Sequence, residues 1–385
     1  MKVREPSFTL GIEEEYLIVD PVSGDLVAEP PQSLFDACTE RIGPHVTNEY
    51  LQSQIEVGTS VCTSLVEARS ELAGLRRTVC EVAGQHGLAP IAASTHPFAS
   101  WHSQRHTAKQ RYDDLQRDLQ AVADRLLICG MHVHVAIEDE DLRVDVFNQI
   151  SYFLPHLLAL STSSPYWQGL DTGLKSYRLS VFDGLPRTGL PETFLSFAEY
   201  QRTVDVLTGA GLMDDATKIW WDLRLSARFP TIEMRVTDVC TDFEDALTIA
   251  ALFRCIARML YRLRTTNQRW RSYSRFLINE NRWRAQRYGG DEGLVDLGRG
   301  EIVDYPELME ELIELTAEDA EFFGCLDEVE RVRLIAARGT SSDRQRKAFE
   351  AARTRGSDVD EALREVVRSL VAETAAGCEA AVQTE

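Results

Sequence analysis

In Gly11-Ile12-Glu13-Glu14-Glu15-Tyr16-Leu17-Ile18-Val19, three adjacent carboxylates open a run that otherwise reads as an apolar strand. Side chains alternate faces along a strand, so Glu13 and Glu15 share one face with Leu17 and Val19, while Ile12, Glu14, Tyr16 and Ile18 take the other. Two carboxylates on one face repel, and burying them is costly unless a cation or hydrogen-bond donors compensate. Mg²⁺ and Mn²⁺, which prefer oxygen ligands, are the natural compensation. A solvated edge strand carrying ordinary surface charge is the other reading of the same residues.

Three further segments repeat the pattern. Gln52, Gln54 and Glu56 alternate with Ile55 and Val57; His132 and His134 alternate with Met131, Val133 and Val135; Glu233 and Arg235 alternate with Ile232, Met234 and Val236. A fixed guanidinium beside a carboxylate suits phosphate handling. Singly, each segment is an ordinary strand with one wet face. Together, their simplest common cause is a concave sheet lining an ion-filled site. Paired imidazoles on one strand also admit a zinc hydrolase built on His132 and His134, although no convincing set of further His ligands accompanies them.

Elements that would position these groups can be read around them. Asp20-Pro21-Val22-Ser23-Gly24-Asp25 is turn chemistry before Leu26-Val27 and predicts a hairpin. Residues 64–86 place Leu65, Ala68, Leu72, Leu75, Val79 and Val82 at helical spacing, with Ser64 and Glu67 as a capping box. Residues 88–94 read as a short strand and 95–98 as a loop in which His96 is expected at the surface rather than on substrate. Residues 139–161 and 240–265 read as long helices. Between them, 161–191 holds too many Ser, Pro and Gly residues for regular structure, and a loop of that length in a compact domain is usually functional. Its Arg178 and Arg187 either hold an anionic substrate or form surface ion pairs. From about 304 the chain reads as helical, with order expected to fade after Thr374.

The 385 residues, 44% hydrophobic, show no linker or low-complexity run. One catalytic domain over 1–374 is therefore expected, with 304–374 as its C-terminal helical part and 375–385 as a disordered tail. The net charge of −20 argues against nucleic acid or an anionic membrane as partner. No apolar stretch resembles a signal or a membrane span, so a cytoplasmic location is expected. Eight cysteines without a Cys-x-x-Cys pair fit reduced, mostly buried thiols. No Walker or dinucleotide fingerprint occurs, so a bound nucleotide would have its phosphates held by metal ions and arginines.

Gly11-Ile12-Glu13-Glu14-Glu15-Tyr16, Gly130-Met131-His132-Val133-His134-Val135 and Ile232-Glu233-Met234-Arg235 together resemble the glutamate–cysteine ligase type 2 family, the YbdK-like carboxylate-amine ligases. Supporting blocks are Gly169-x-Asp171-Thr172-Gly173 with Ser176-Tyr177-Arg178, Pro186-Arg187-Thr188-Gly189-Leu190-Pro191, and Glu280-Asn281-Arg282-Trp283 through Arg287-Tyr288-Gly289. They run in the family's order from residue 8 to about 290.

The resemblance implies an α+β, glutamine-synthetase-like fold: a curved antiparallel β-sheet cup with helices packed on its outer face. It implies ATP-dependent amide formation through an acyl phosphate, with weak glutamate–cysteine ligase activity. The substrates would be a glutamate-like carboxylic acid and an amine, cysteine or another, and the assembly a homodimer. By resemblance, Glu13, Glu15, Glu56, His132 and Glu233 would coordinate Mg²⁺, or Mn²⁺, bridging the ATP phosphates. Arg235 and Glu56 are the expected catalytic residues, and Arg178, Arg187, Arg235 and Arg287 the expected nucleotide-binding ones. Glu49 has odd parity relative to Glu56, which leaves its facing open. A catalytically silent nucleotide-binding member of the fold is the remaining alternative.

Overall fold

In the computed structural model, which describes residues 4–380, the Glu-rich segment is the strand β1, Leu10–Val19, at the heart of a seven-stranded antiparallel sheet. Its other strands are β2, Val46–Asn48; β3, Gln54–Gly58; β4, Ala89–Ile91; β5, Met131–Ala136; β6, Leu223–Leu225; and β7, Thr231–Met234. The order is β6-β7-β5-β1-β3-β2, with β4 pairing the last residues of β1. Register places Glu13 opposite His132, Glu15 opposite Glu56, and Glu233 opposite His134. Because side chains directly opposite in adjacent strands share a face, the four polar-faced segments expected from the sequence converge on one side of the sheet.

Two long helices lie on the other side, while the helix Gln110–Leu119 borders the polar face. Arg76 of the helix Leu65–Gln85 reaches Glu14, on the back of β1, and its guanidinium also lies over the ring of Phe243, the first residue of the helix Phe243–Thr265. Ser64 caps the first of these helices by accepting from Glu67 N–H at 3.1 Å. The Glu67 carboxylate turns back to Thr63 N–H rather than to Ser64, so the capping box is shifted by one residue. Buried apolar residues from Phe8 to Leu370 form one continuous cluster.

Two expectations need correction. Residues 139–161 form two helices, Glu140–Ile150 and Leu154–Ser161, separated by a 3₁₀ turn, because Pro155 lacks the N–H that a continuous ladder requires. His96 is fully buried: its Nδ1 accepts from Phe98 and Ala99 N–H, its Nε2 lies 3.0 Å from Gly24 O, and burial pushes its pKa down to about 4. The helix Val359–Ala380 runs on past Thr374. Thr374 Oγ1 accepts from Ala92 N–H, and a Cβ at Gly377 would collide with Phe243, so this part of the helix is packed. The rest of the expected tail, 381–385, lies outside the described residues.

The hairpin at Asp20 survives as a single bridge, Val19 to Leu26. The loop of 161–191 contains only short elements, among them the helix Arg178–Phe182, yet it is firmly tied. Buried Asp238 accepts from Ser163 N–H, Ser164 Oγ and Ser176 Oγ at 2.7–2.9 Å, and Ser164 Oγ accepts from Arg178 N–H at 3.1 Å. Hydroxyls that looked like loop punctuation are thus the ligands of a buried carboxylate.

Candidate active site

The polar face of the sheet lines a cavity of about 530 Å³ to which β1, β2, β3, β5, β6 and β7 contribute or adjoin. Its floor is acidic. Glu13 sits between two imidazoles: His132 Nδ1 is 3.0 Å from its Oε2 and His134 Nε2 is 3.4 Å from its Oε1. Glu15 accepts from Gly130 N–H at 2.7 Å, and Glu56 accepts from Thr47 Oγ1 at 2.7 Å. His134 Nδ1 lies 3.0 Å from Thr231 Oγ1, which orients the ring.

Donor atoms fall into three overlapping groups, each within 4.8 Å: Glu13 with His134 and Glu233, Glu13 with Glu56 and His132, and Glu15 with Glu49 and Glu56. Electrostatics mark the group of Glu15, Glu49 and Glu56 as under-compensated. Burial, reinforced by Glu56, pushes Glu15 up to about 7, and burial together with neighbouring carboxylates raises Glu49 and Glu56 as well. Burial would raise Glu13 too, but the two histidines hold it well below the usual range. For His132, burial and then Arg235 push the pKa down to about 4, so its ring is neutral at pH 7. His132 Nε2 and His134 Nε2 are buried without hydrogen-bond partners. Crowded carboxylates, the neutral His132 ring with its free Nε2, and a His134 ring whose charged form Glu13 favours against burial are a donor set that fits divalent cations once the proton on His134 is displaced.

The opposite wall is cationic. Glu233 is gripped by Arg224 through two bonds of 2.8 and 2.9 Å and also receives Arg235 Nη1. Burial alone would raise Glu233, but Arg235 and Arg224 more than offset it and bring it to about 2. Arg178 is buried against Gly130, where a Cβ would collide with its guanidinium. It donates to Arg235 O at 3.2 Å. Both Arg178 Nε and Arg235 Nε lack partners. Buried guanidiniums with free donors beside a cation-hungry floor are what a polyphosphate requires.

The structure brings Glu13, Glu15, Glu56, His132, Glu233, Arg178 and Arg235 to this cavity. It does not bring Arg187 or Arg287 to its lining. Arg187 donates to Lys218 O and lies over the Trp220 ring, while Arg287 donates to Gly173 O and lies over the Tyr288 ring. Glu49 belongs to the site, because the chain folds back between β2 and β3 and parity counted through a single strand does not apply. Arg224 was overlooked, although Leu223-Arg224-Leu225 carries the same alternation as the other segments. Lys109 and Arg111, exposed at the mouth, come from a segment without strand periodicity; two cations so close together in an acidic chain were the available signal. The two imidazoles fall into different donor groups, each completed by two carboxylates, so the site does not support a histidine-rich zinc centre.

The sequence profile of glutamate-cysteine ligase family 2 (GCS2) matches residues 9–373. A relative from Rhodospirillum rubrum, named "Putative glutamate–cysteine ligase 2", is 61% identical over 378 residues, covering 97% of each chain. Among solved structures, a bifunctional glutathione synthetase from Pasteurella multocida superposes with a TM-score of 0.69 at 15% identity, over 96% of this chain and 52% of that longer one. A glutamate–cysteine ligase from Francisella tularensis in complex with AMP gives 0.64 at 14% identity, over 98% and 95%. Likeness at such identities speaks for the fold alone, and the fold is the glutamine-synthetase-like α+β architecture.

Proposed function

We propose, for a chain that belongs to glutamate-cysteine ligase family 2, that it is an ATP-dependent carboxylate-amine ligase working through an acyl phosphate, with glutamate and cysteine as the first substrates to test. The observation that carries this reading is a single cavity in which clustered buried carboxylates face the free donors of Arg178 and Arg235.

A carboxylate oxygen of the acid substrate attacks the γ-phosphorus of ATP, the bond to the β–γ bridging oxygen breaks, and ADP leaves. The amine nitrogen then attacks the acyl carbon, the carbon–oxygen bond to phosphate breaks with its electron pair, and the amine sheds a proton. Two developing negative charges dominate the barrier. Arg235, anchored by Glu233 and by its own N–H to Asp222 O at 2.8 Å, is positioned to hold charge on the transferring phosphoryl group. Arg178 braces it from behind. Glu13, Glu15, Glu56, His132 and Glu233, with Glu49 added, are the residues that would hold Mg²⁺; the imidazole also admits Mn²⁺. Bound divalent ions would neutralise the nucleotide phosphates. Glu56 belongs to two of the three donor groups, so its loss would disturb both. Glu233 has two guanidinium partners already, which suits it to orient Arg235 as much as to bind an ion.

ADP release from MgATP with L-glutamate, with and without L-cysteine and then across a panel of amines, tests the reading, with mass spectrometry of the product. Amine-dependent ADP release with one amide formed per ADP supports it. Release that needs no acid–amine pair sinks it in favour of simple ATP hydrolysis, and no release with any pair sinks it and leaves a silent nucleotide binder. The protein is further proposed to form a homodimer, which light scattering at micromolar concentration checks directly.

A further inference from the structure

The Pro186-Arg187-Thr188-Gly189-Leu190-Pro191 block has no place in the cavity lining, yet its arginine is held in a specific way. Arg187 has φ +60°, the left-handed region that a residue with a Cβ enters only when its surroundings impose it. Its O accepts from Trp220 N–H at 2.9 Å, its Nε donates to Lys218 O at 2.8 Å, and Thr188 and Gly189 pair in parallel with Trp220 and Trp221. These contacts set the guanidinium over the Trp220 ring, 5.4 Å from its centre.

Trp220 does line the cavity, and it is only half-buried. Arg187 covers one side of its indole from outside the cavity, so the ring surface that the cavity meets is the part Arg187 leaves free. The next residue but one, Asp222, carries the carbonyl that anchors Arg235 N–H. Two residues of extended chain span about 7 Å. The indole is therefore close along the chain to the carbonyl that fixes the backbone of Arg235, whose guanidinium is proposed to meet phosphate.

We propose that Trp220 is the platform on which the purine base of the nucleotide stacks, and that Arg187 serves the nucleotide by clamping this ring rather than by touching phosphate. The inference rests on the nucleotide reading proposed above. A flat, half-buried indole fits a base in a way that it fits neither a carboxylate nor a small amine, because stacking needs a π-face and is strong for every base. The cation on the far side draws the ring's electron density toward itself, which favours an electron-rich purine on the near side. Of the other rings at the cavity, Phe229 sits edge-on to His134 at 6.5 Å, beside the acidic floor where the phosphates and ions belong, while half-buried Tyr112 donates to Asn48 O and carries Lys109 over its ring, and Phe182 carries the Arg178 guanidinium.

Calorimetric titration separates base from phosphate recognition when MgADP is compared with Mg-tripolyphosphate, which has no base. Trp220→Ala is expected to weaken MgADP about tenfold, as loss of one stacking partner does, and to leave tripolyphosphate within twofold of wild type. Trp220→Phe keeps a ring and is expected to hold MgADP within about threefold while abolishing nucleotide-induced quenching of tryptophan emission. This second variant decides the matter if Trp220→Ala does not fold. Unchanged MgADP affinity in Trp220→Ala, equal losses for both ligands in either variant, or a loss confined to a Phe229→Ala control would overturn the proposal. If wild type binds tripolyphosphate but not MgADP, the base subsite is wrong while the phosphate site stands; if it binds neither, the nucleotide reading falls and the subsite with it.

Discussion

Glu14 and its neighbours Glu13 and Glu15 are the same residue type on the same strand, yet they live in opposite electrostatic worlds. On the back of β1, Glu14 is completely buried and completely answered: Arg76 donates to both its oxygens at 2.6 Å and Tyr16 Oη donates to one of them. Arg76 spends its remaining donors on Cys240 O and Thr241 O, so the pair also ties the strand to the chain entering the helix Phe243–Thr265. On the front, Glu13 and Glu15 meet other carboxylates and imidazoles with free nitrogens. The chain supplies the counter-charge to Glu14 on one face and leaves that of Glu15, Glu49 and Glu56 to be supplied on the other. A buried carboxylate paired within the fold is structural; a group of carboxylates without internal counter-charge is a site.

Breaking the back face should have the largest effect. Arg76→Met leaves Glu14 buried and unpaired and is expected to cost about 3–5 kcal/mol of stability in urea unfolding, with the remaining folded protein still active. Adding Glu14→Gln should recover part of that loss. Breaking the front face should do the reverse. Glu13→Gln is expected to lower amine-dependent ADP release at least a hundredfold, about 2.7 kcal/mol in the barrier, with a loss of ion-free stability smaller than that of Arg76→Met, because only its contacts to His132 and His134 are weakened. A Glu13→Gln protein that unfolds like Arg76→Met would erase the distinction between the faces.

A third test uses pH. The folded pKa of Glu15 is about 7, above the ordinary 4.5, so the ion-free fold holds this proton more tightly than the unfolded chain does. Its contribution therefore makes stability fall as pH rises from about 4.5 to about 7, by on the order of 3 kcal/mol. Unfolding in the presence of a chelator at pH 5, 6 and 7.5 should show this slope flattened in Glu15→Gln; equal slopes in the two proteins would contradict the assignment. The smallest effect belongs to the back face again: Tyr16→Phe removes one donor to Glu14 and is expected to cost about 1 kcal/mol, with turnover unaffected.

Much of this contrast was legible in the sequence because strand alternation is a strong rule. Period-two reading separated Glu14 from Glu13 and Glu15, and it put His132, Glu56, Glu233 and Arg235 on the same side as the latter pair. It failed wherever the chain did not run straight. The facing of Glu49 stayed open because β2 and β3 are separate strands, and Arg224 was missed because β6 is three residues long. Arg178 was recognised, but Arg187 and Arg287 were not distinguished from it, since a loop arginine's target is set by tertiary folding. His96 looked like a surface residue because nothing local reveals that its ring accepts two backbone N–H groups in the core. Arg76, the partner that makes Glu14 structural, lies 62 residues away on an otherwise apolar helix face, and no local pattern connects the two.

The most direct test of the account is calorimetric titration of Mg²⁺ into the protein in the presence of ADP, repeated in two buffers of different ionisation enthalpy. The account predicts tight Mg²⁺ uptake with proton release, lost in Glu13→Gln. Uptake that is absent in the wild type, or that persists unchanged in Glu13→Gln, would contradict it.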